Sequence, residues 1–303
     1  MDTAPRACVY TCLLGEYEQL NLQPAAATSG LDFICFTDMP GLVGTGWRVV
    51  QVTPAFPFDP VRSQRLLKMS PHDLLPDYDV SLYIDNSVVL TADPAALIAE
   101  WLGADAAMAV PGHSFRESVA DEFMEVLRLG LDDGWRVIEQ LQHYRMSHPE
   151  VLSEPPYWSG MIARRHHAPS VVAAMGRWQA HVLRYSRRDQ LSLNLAAQQA
   201  GLAVRRISLD NHASAFHRWP VTSGRDRATF PFAPFSTLVP PEMQARERAR
   251  RRAEQDEAAA VVKAGETPGA AGTAPPDGAG AAERAPSLLD RLRAGWRSGL
   301  RDK

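Results

Sequence analysis

The residues of this sequence that are best suited to chemistry follow directly after a short apolar segment. Residues 81–84 predict the end of a strand, and Asp85, Asn86 and Ser87 come at once after it. Side-chain oxygens that include a carboxylate are the ligands that a hard cation such as Mg²⁺ or Mn²⁺ prefers. One carboxylate binds such an ion weakly, so a bound diphosphate would have to complete the coordination shell. The alternative is a turn in which Asp85 and Asn86 only bond the backbone.

A group of cations lies upstream of this segment. Arg62, Arg65 and Lys68 recur at three-residue steps and would share one face of a helix. No acid stands between them, so their charges repel unless an anion binds there. A diphosphate suits such a stripe, because Arg makes two-pronged contacts with it and Lys adds a point charge. The alternative is a solvated helical face.

A third group of candidates spans residues 185–194. Asp189 and Gln190 stand side by side where a helix is expected to begin, and they offer hydrogen-bond partners to a polyhydroxy ligand. The alternative is structural, with Ser186 capping the helix and Asp189 completing a capping box.

The elements that must position these residues alternate along the chain. Apolar, β-branched runs predict strands at residues 7–14, 32–37, 47–52, 80–84, 106–110, 157–163 and 203–208. Amphipathic runs predict helices at residues 62–72, 94–102, 118–129, 135–144, 169–183 and 188–200. This alternation predicts an α/β domain with a mostly parallel sheet, in which ligands bind at the carboxyl ends of the strands.

The composition of the chain argues against several classes of protein. The chain has 303 residues and a net charge of −3, which argues against nucleic acid as a partner. No apolar run is long enough to span a bilayer, and we expect no signal peptide. Three cysteines are too few for a disulfide framework and predict a reducing cytoplasm. Dinucleotide, P-loop, two-histidine zinc and Gly-x-Ser-x-Gly motifs are missing from the sequence.

The composition changes near residue 240, and we predict three parts. Residues 1–240 form the α/β domain, and residues 241–285 form a charged helix and a flexible linker rich in Ala, Gly and Pro. Residues 286–303 carry an apolar stripe edged by arginines, which predicts a short basic amphipathic helix. That helix either makes a peripheral contact with the inner face of the membrane or docks on protein; the alternative is a disordered C-terminal tail, because isolated short helices are marginal.

Taken together, these motifs resemble a known family. They follow one another in order as Val9-Tyr10-Thr11, Leu14-Gly15-Glu16-Tyr17, residues 33–38, Gly46-Trp47, Arg62-x2-Arg65-x2-Lys68-x2-Pro71-His72, Tyr83-Ile84-Asp85, His113-x2-Arg116 and residues 186–190. Over residues 7–218 the chain resembles the glycosyltransferase-like family of the plant TOD and MUCI proteins, a former domain of unknown function with bacterial members. The resemblance implies a GT-A fold, Rossmann-like, distantly similar to that of retaining, glycogenin-like glycosyltransferases.

The resemblance also implies roles for individual residues. Asp85 matches the first carboxylate of a motif that holds Mn²⁺ or Mg²⁺ on the donor, with Ser87 at its third position. Asp189 and Gln190 match the pair beside the donor sugar. A late metal-binding histidine is either His212 or, preferred for its neighbours Arg218 and Trp219, His217.

Further residues would bind the donor or the acceptor. The expected nucleotide, diphosphate and sugar contacts are Thr11, Tyr17, Asp38, Arg62, Arg65, Lys68, Asn86, His113 and Arg116. The implied function is the transfer of a sugar from a nucleotide-sugar to a hydroxyl of a glycan or polysaccharide, with retention of configuration. Two alternatives remain open: a glycan- or membrane-associated binding module that has lost catalysis, and a sugar nucleotidyltransferase.

Overall fold

The computed structural model describes residues 5–223, 225 and 241–265. In these ranges the strands are β1 (Ala7–Leu13), β2 (Asp32–Thr37), β3 (Arg48–Gln51), β4 (Val80–Ile84), β5 (Val89–Leu90), β6 (Met108–Pro111), β7 (Met161–Arg164), β8 (Arg205–Ile207) and β9 (His217–Arg218). The helices are α1 (Pro60–Lys68), α2 (Pro71–Leu74), α3 (Pro94–Leu102), α4 (Val119–Arg128), α5 (Gly134–Ser147), α6 (Pro169–Arg184), α7 (Leu193–Gln199) and α8 (Pro241–Gly265).

A seven-stranded sheet is the centre of the fold. Its order is β3-β2-β1-β4-β7-β6-β8, and every neighbouring pair is parallel except the two that β7 makes. A separate antiparallel pair joins β5 to β9. The predicted fold class, an α/β protein with a mostly parallel mixed sheet flanked by helices, is confirmed.

The sheet is buried on both faces, as its continuous apolar strands predict. One face packs Tyr10 and Ile162 against Trp178 of α6. The opposite face packs Val9 and Leu82 of the sheet against α3. The three cysteines are free and buried in the sheet, and burial raises the pKa of Cys8 and of Cys35 to about 12, so these thiols stay protonated.

Two predicted helices are broken. The predicted helix at residues 62–72 is divided, because Pro71 has no backbone N–H and disfavours helical geometry in the residue before it. α1 therefore ends at Lys68, so this residue lies in the last turn of its helix and not in the middle of a longer one, as the prediction had it. The predicted helix at residues 188–200 begins instead with a 3-10 turn, Asp189–Leu191, before α7.

The chain divides into two compact units, residues 1–244 and residues 245–303. α8 covers the region where a charged helix is predicted. The predicted linker after residue 265 and the predicted amphipathic helix at 286–303 lie outside the described residues. No helix in the described ranges has the length and apolar character needed to cross a membrane.

Candidate active site at the carboxyl edge of the sheet

The predicted site residues come from separate parts of the chain that meet at one edge of the sheet. Six of the seven strands are parallel and end there, whereas β7 begins there. Asp85 follows β4, Ser159 lies two residues before β7, and Asp189 begins the 3-10 turn after α6. The backbone N–H of Asp85 donates to the carbonyl of Gly160 at 2.8 Å, which joins the ends of β4 and β7.

The ammonium group of Lys68 is the centre of this site. Its Nζ is fully buried and lies 2.5 Å from Oδ2 of Asp189, 3.1 Å from Oγ of Ser159 and 3.7 Å from Oδ1 of Asp85. The indole of Trp178 donates to the backbone carbonyl of Asp189 at 2.8 Å, which holds the 3-10 turn against α6. A buried ammonium surrounded by two carboxylates and a hydroxyl is thus fixed from three sides.

Arg65 completes the charge balance on the other oxygen of Asp189. Its Nε lies 3.3 Å from Oδ1 of that carboxylate, and its side chain is 13% exposed. Burial alone would raise the pKa of Asp189, but the charges of Arg65 and Lys68 outweigh it and hold that pKa well below its ordinary value. Burial lowers the pKa of Lys68, and the two nearby carboxylates oppose that shift. We name Arg65, Lys68, Asp85 and Asp189 the ion cluster.

Asp85 is the accessible member of the ion cluster. Its side chain is 30% exposed. The hydroxyl of Tyr83 donates to Oδ1 of Asp85 at 2.7 Å, and the amide of Gln64 donates to that hydroxyl at 2.7 Å. Tyr83 therefore orients the carboxylate, and a ligand can still reach it.

Only two of the three cations predicted to lie together, Arg62, Arg65 and Lys68, are found at the site. Arg65 and Lys68 converge on the site, but Arg62 points elsewhere: its Nε lies 3.2 Å from Asp59, and its guanidinium contacts the backbone carbonyls of Val182 and Tyr185. Acids neutralise all three charges, so the expectation that only a bound anion can prevent repulsion is wrong. Arg62 pairs with Asp59, the residue that caps the same helix, whereas Arg65 and Lys68 pair with Asp189, which is distant in sequence and is brought close by the tertiary fold.

The capping box predicted at Ser186 does not form. The Ser186 hydroxyl lies 2.5 Å from Oδ2 of Asp132, and that oxygen also accepts the N–H of Arg187 at 2.8 Å. Asp189 is thereby left for the ion cluster, and Gln190 is half-buried beside it. The structure thus removes the capping-box interpretation, although the hydroxyl of Ser186 accepts the N–H of Arg188 at 3.0 Å, and the role of Asp189 and Gln190 toward a ligand stays a prediction.

Asn86 bonds the backbone, which was the structural alternative to ligand binding in this turn. Its side-chain oxygen accepts from the N–H of Asn21 at 2.9 Å, and its amide donates to the carbonyl of Gln19 at 2.8 Å. It therefore anchors the loop after β1, rather than presenting a polar group to a ligand.

The predicted metal ligands fit an ion poorly. Asp85 is the one carboxylate among them, and Ser87 is 3% exposed. His217 is fully buried, with Nδ1 2.7 Å from Oγ of Ser214 and Nε2 3.0 Å from the carbonyl of Asn211. In the described ranges, no three His, Cys, Asp or Glu side chains gather where they could hold an ion. The donor set does not form the expected Mn²⁺ or Mg²⁺ site, and we derive no step through a metal.

The residues predicted to border a nucleotide lie at the ends of β1 and β2. Asp38 accepts the N–H of Gly15 at 2.9 Å, which joins the loops after these two strands, and Tyr17 is half-buried nearby in the chain. Thr11 has no exposed surface, so its predicted contact with the nucleotide is wrong. It lies inside β1, two residues before the strand ends.

His113 and Arg116 follow β6 at the same edge and form their own polar group. The Nε of Arg116 lies 3.2 Å from the buried carboxylate of Glu122 on α4, and Nε2 of His113 lies 3.8 Å from it. Burial, reinforced by the charge of Arg116, lowers the pKa of His113 to about 3, so this imidazole is neutral. Burial raises the pKa of Glu122.

Sequence reasoning missed several members of the site. Gln64 and Ser159 belonged to no motif, and Tyr83 stood in the Tyr83-Ile84-Asp85 motif without an assigned role, because these roles depend on which strands and helices are neighbours in the fold. The sequence could have indicated Arg188, because this residue directly precedes Asp189. It is half-buried, its charge lowers the pKa values of both Asp189 and His113, and its buried Nε has no hydrogen-bond partner among the described residues.

One comparison with known proteins, the match to a family model, supports the predicted family. Residues 8–210 match the family described as TOD1/MUCI70, glycosyltransferase-like domain, which confirms the resemblance found in the sequence. Among solved structures, the chain is similar to the apo structure of the bifunctional glycosyltransferase WbbM, with 11% identity and a TM-score of 0.45. That match covers 68% of this chain and 39% of the other. The search of curated proteins found no match.

Proposed function

The chain belongs to the TOD1/MUCI70 glycosyltransferase-like family, and we propose that it transfers a sugar from a nucleotide-sugar to a hydroxyl of a glycan. The observation that carries this proposal is the ion cluster. Its carboxylate Asp85 is accessible, and it lies at the carboxyl edge of the sheet, where α/β proteins bind ligands. The retaining outcome and the cytoplasmic location, at the inner face of the membrane or away from it, are part of the same proposal.

The transfer exchanges one bond at the anomeric carbon for another. The acceptor oxygen forms a bond to that carbon while the bond from the carbon to the donor's phosphate oxygen breaks. The electron pair leaves with the nucleoside diphosphate, and the acceptor's proton passes to the leaving phosphate oxygen. Retention requires the acceptor to approach from the face that the phosphate leaves.

Arg65 and Arg188 are suited to stabilise the charge that develops on the leaving group. Arg65 belongs to the ion cluster and the charge of Arg188 acts on Asp189 of that cluster, and Arg forms two-pronged contacts with phosphate oxygens. Two unit charges ~4 Å apart interact by about 4 kcal/mol at an effective dielectric of 20. Realised in the transition state alone, that energy is worth about a thousandfold in rate.

Asp189 and Gln190 would lie beside the reacting sugar: Gln190 is half-buried and could contact it, whereas Asp189 is 3% exposed and would act on it through its charge. The two cations beside Asp189 keep it ionised and hold it in one orientation. An ionised carboxylate stabilises the positive charge that the sugar ring develops as the phosphate leaves, and it does so without moving a proton.

The test is release of nucleoside diphosphate from a panel of UDP-, GDP-, ADP- and dTDP-sugars by the purified protein. We expect slow donor hydrolysis, which a variant with Asp85→Ala loses while it keeps the fold. Asp73→Ala is the matched control, because that carboxylate is 75% exposed and stands outside the site. No hydrolysis with any donor would contradict the proposal and favour the binding-module alternative.

The same assay tests whether the activity depends on a metal ion. We expect the activity to survive a chelator, because Ser87 and His217 are poorly placed to bind a metal ion. Activity that needs added Mn²⁺ would instead mean either that the exposed His212 is the late metal-binding histidine or that β9 rearranges to free a ring nitrogen of His217.

A further inference from the structure

Three aromatic rings that the reaction above does not use lie close together at the same edge. The ring of Phe115 stacks on that of His212 with centroids 5.0 Å apart, and the ring of Trp219 lies 6.3 Å from Phe115 and 5.4 Å from His212. The planes of these rings are within 35° of one another. His212 is exposed and Phe115 is 37% exposed. We name these three residues the aromatic platform.

Hydrogen bonds hold the two loops of the platform together. The buried side chain of Asn211 accepts the N–H of Ser114 at 2.8 Å and donates to the carbonyl of Gly112 at 2.9 Å. The hydroxyl of Ser114 accepts the N–H of Asn211 in return, at 3.1 Å. The N–H of Trp219 donates to the carbonyl of His212 at 2.7 Å. The rings are thus preorganised, which limits the entropy lost when a ligand binds.

The platform adjoins the ion cluster through one short segment. The ring of Trp158 packs edge-to-face on Trp219 with centroids 5.3 Å apart. The next residue, Ser159, contacts both Lys68 and Asp189. The platform and the ion cluster therefore contact adjacent residues of one segment, Trp158 and Ser159.

The order of strands separates Phe115 and His212 from the nucleotide side. Tyr17 and Asp38 follow β1 and β2, the ion cluster lies at β4 and β7, and Phe115 and His212 follow β6 and β8. Trp219 follows β9, and its segment reaches back toward the ion cluster, since the N–H of Val221 donates to the carbonyl of Ser87 at 2.8 Å. Phe115 and His212 are thus the members of the platform that lie on the far side of the ion cluster from the expected nucleotide.

We propose that the aromatic platform binds the acceptor by stacking against a neutral pyranose ring. The C–H groups on one face of a pyranose pack well on aromatic faces, and its hydroxyls stay free at the rim. The guanidinium of Arg116, which lies 5.7 Å from the centre of the Phe115 ring, is already paired with Glu122 and Glu125, so a neutral sugar suits the place better than an anion. This inference rests on the proposed function and names its acceptor class.

The experiment compares transfer to an acceptor with transfer to water. Methyl glycosides of common hexoses and xylose, with short oligosaccharides, serve as acceptors for a donor that wild type hydrolyses. In Phe115→Ala and in His212→Ala, the ratio of transfer to hydrolysis should fall about tenfold, the size of a lost stacking contact. Phe115→Trp keeps an aromatic face and should keep most of the ratio.

Trp135→Ala is the matched control, because it removes an aromatic ring that is 63% exposed on α5, and it should leave the ratio as in wild type. Circular dichroism checks that each variant is folded. If Phe115→Ala does not fold, the ratio measured for His212→Ala decides whether the platform binds the acceptor. Equal losses of transfer and hydrolysis would overturn the acceptor assignment, as would tryptophan fluorescence that responds to nucleoside diphosphate but not to glycosides. Absence of hydrolysis in wild type would instead contradict the proposed function itself.

Discussion

Asp189 and Lys68 form a buried ion pair in which each member depends on the other. Asp189 is 3% exposed and Lys68 is fully buried. A buried pair of this kind adds little net stability, because desolvation offsets the attraction, but removing one partner leaves an uncompensated charge in the interior. We infer that the pair is kept for its position in the proposed site rather than for stability.

A double-mutant cycle tests this interpretation. Asp189→Leu alone should lower the free energy of unfolding by about 3–5 kcal/mol, because the ammonium of Lys68 is left with the more distant Asp85. Adding Lys68→Met removes the orphaned charge and should restore much of that stability, while donor hydrolysis stays lost. Urea unfolding measures the first effect and release of nucleoside diphosphate the second. A double variant no more stable than Asp189→Leu would refute the account.

His113 makes stability depend on pH. Its folded pKa is about 3, whereas an unfolded histidine titrates near 6.5. As pH falls below 6.5 the unfolded chain takes up a proton that the folded chain does not, so the free energy of unfolding falls with pH.

We expect His113→Asn to weaken this dependence below pH 6.5 by up to about 1.4 kcal/mol per pH unit. Chemical unfolding between pH 6.5 and pH 5 measures the slope. His148→Asn is the comparison, because that imidazole is 35% exposed and lies at the end of α5. Equal slopes in wild type and His113→Asn would show that His113 is not buried neutral.

At the scale of elements, the loop after β1 is fitted against the start of α1. Gly15 has φ +82°, and a Cβ placed on it would lie 2.6 Å from Cβ of Pro60. Its N–H also bonds Asp38. Only glycine satisfies the backbone angle and the close approach together, so this residue sets how the nucleotide side meets α1.

Gly15→Ala should therefore lower stability by more than the cost of a positive φ alone and should raise the KM for the donor. Gly41→Ala separates the two causes, because Gly41 also has a positive φ of +74°, but no atom of the described residues lies within 4 Å of where its Cβ would be. Thermal unfolding and donor kinetics of both variants give the comparison. If the two substitutions cost the same, the contact with Pro60 plays no part.

At the scale of the whole domain, the sheet edge carries the expected donor and acceptor groups on opposite sides of the ion cluster. This arrangement follows from the strand order, in which β1 and β2 lie on one side of β4 and β7, and β6 and β8 on the other. An exchange of sugar between two ligands needs such an order, since the reacting bond must lie between them.

Hydrogen exchange with a nucleoside diphosphate alone tests this order. Backbone amides of the loops after β1 and β2, at residues 14–18 and 38–44, should exchange more slowly when the ligand is bound. Residues 112–116 after β6 should change little, and they serve as the internal control. Protection confined to residues 112–116 would reverse the proposed order.

Local patterns in the sequence were sufficient for much of this architecture. Apolar runs and capping residues predict the strands and most helices, because these depend on neighbouring residues: Asp93 and Pro94 begin α3 as expected. The order of short motifs also identified the family, and it marked Asp85, Lys68 and Asp189, which the fold brings together.

Only the tertiary structure decided which charges and rings meet. Arg62 and Lys68 share a helix and look equivalent in sequence, yet one contacts the end of α6 and the other is buried between Asp85 and Asp189. The burial of Thr11 and of His217, and the approach of Phe115 to Trp219, likewise depend on packing between distant segments. The physical reason is that desolvation and ion pairing act through space, whereas a sequence pattern records only what adjoins along the chain.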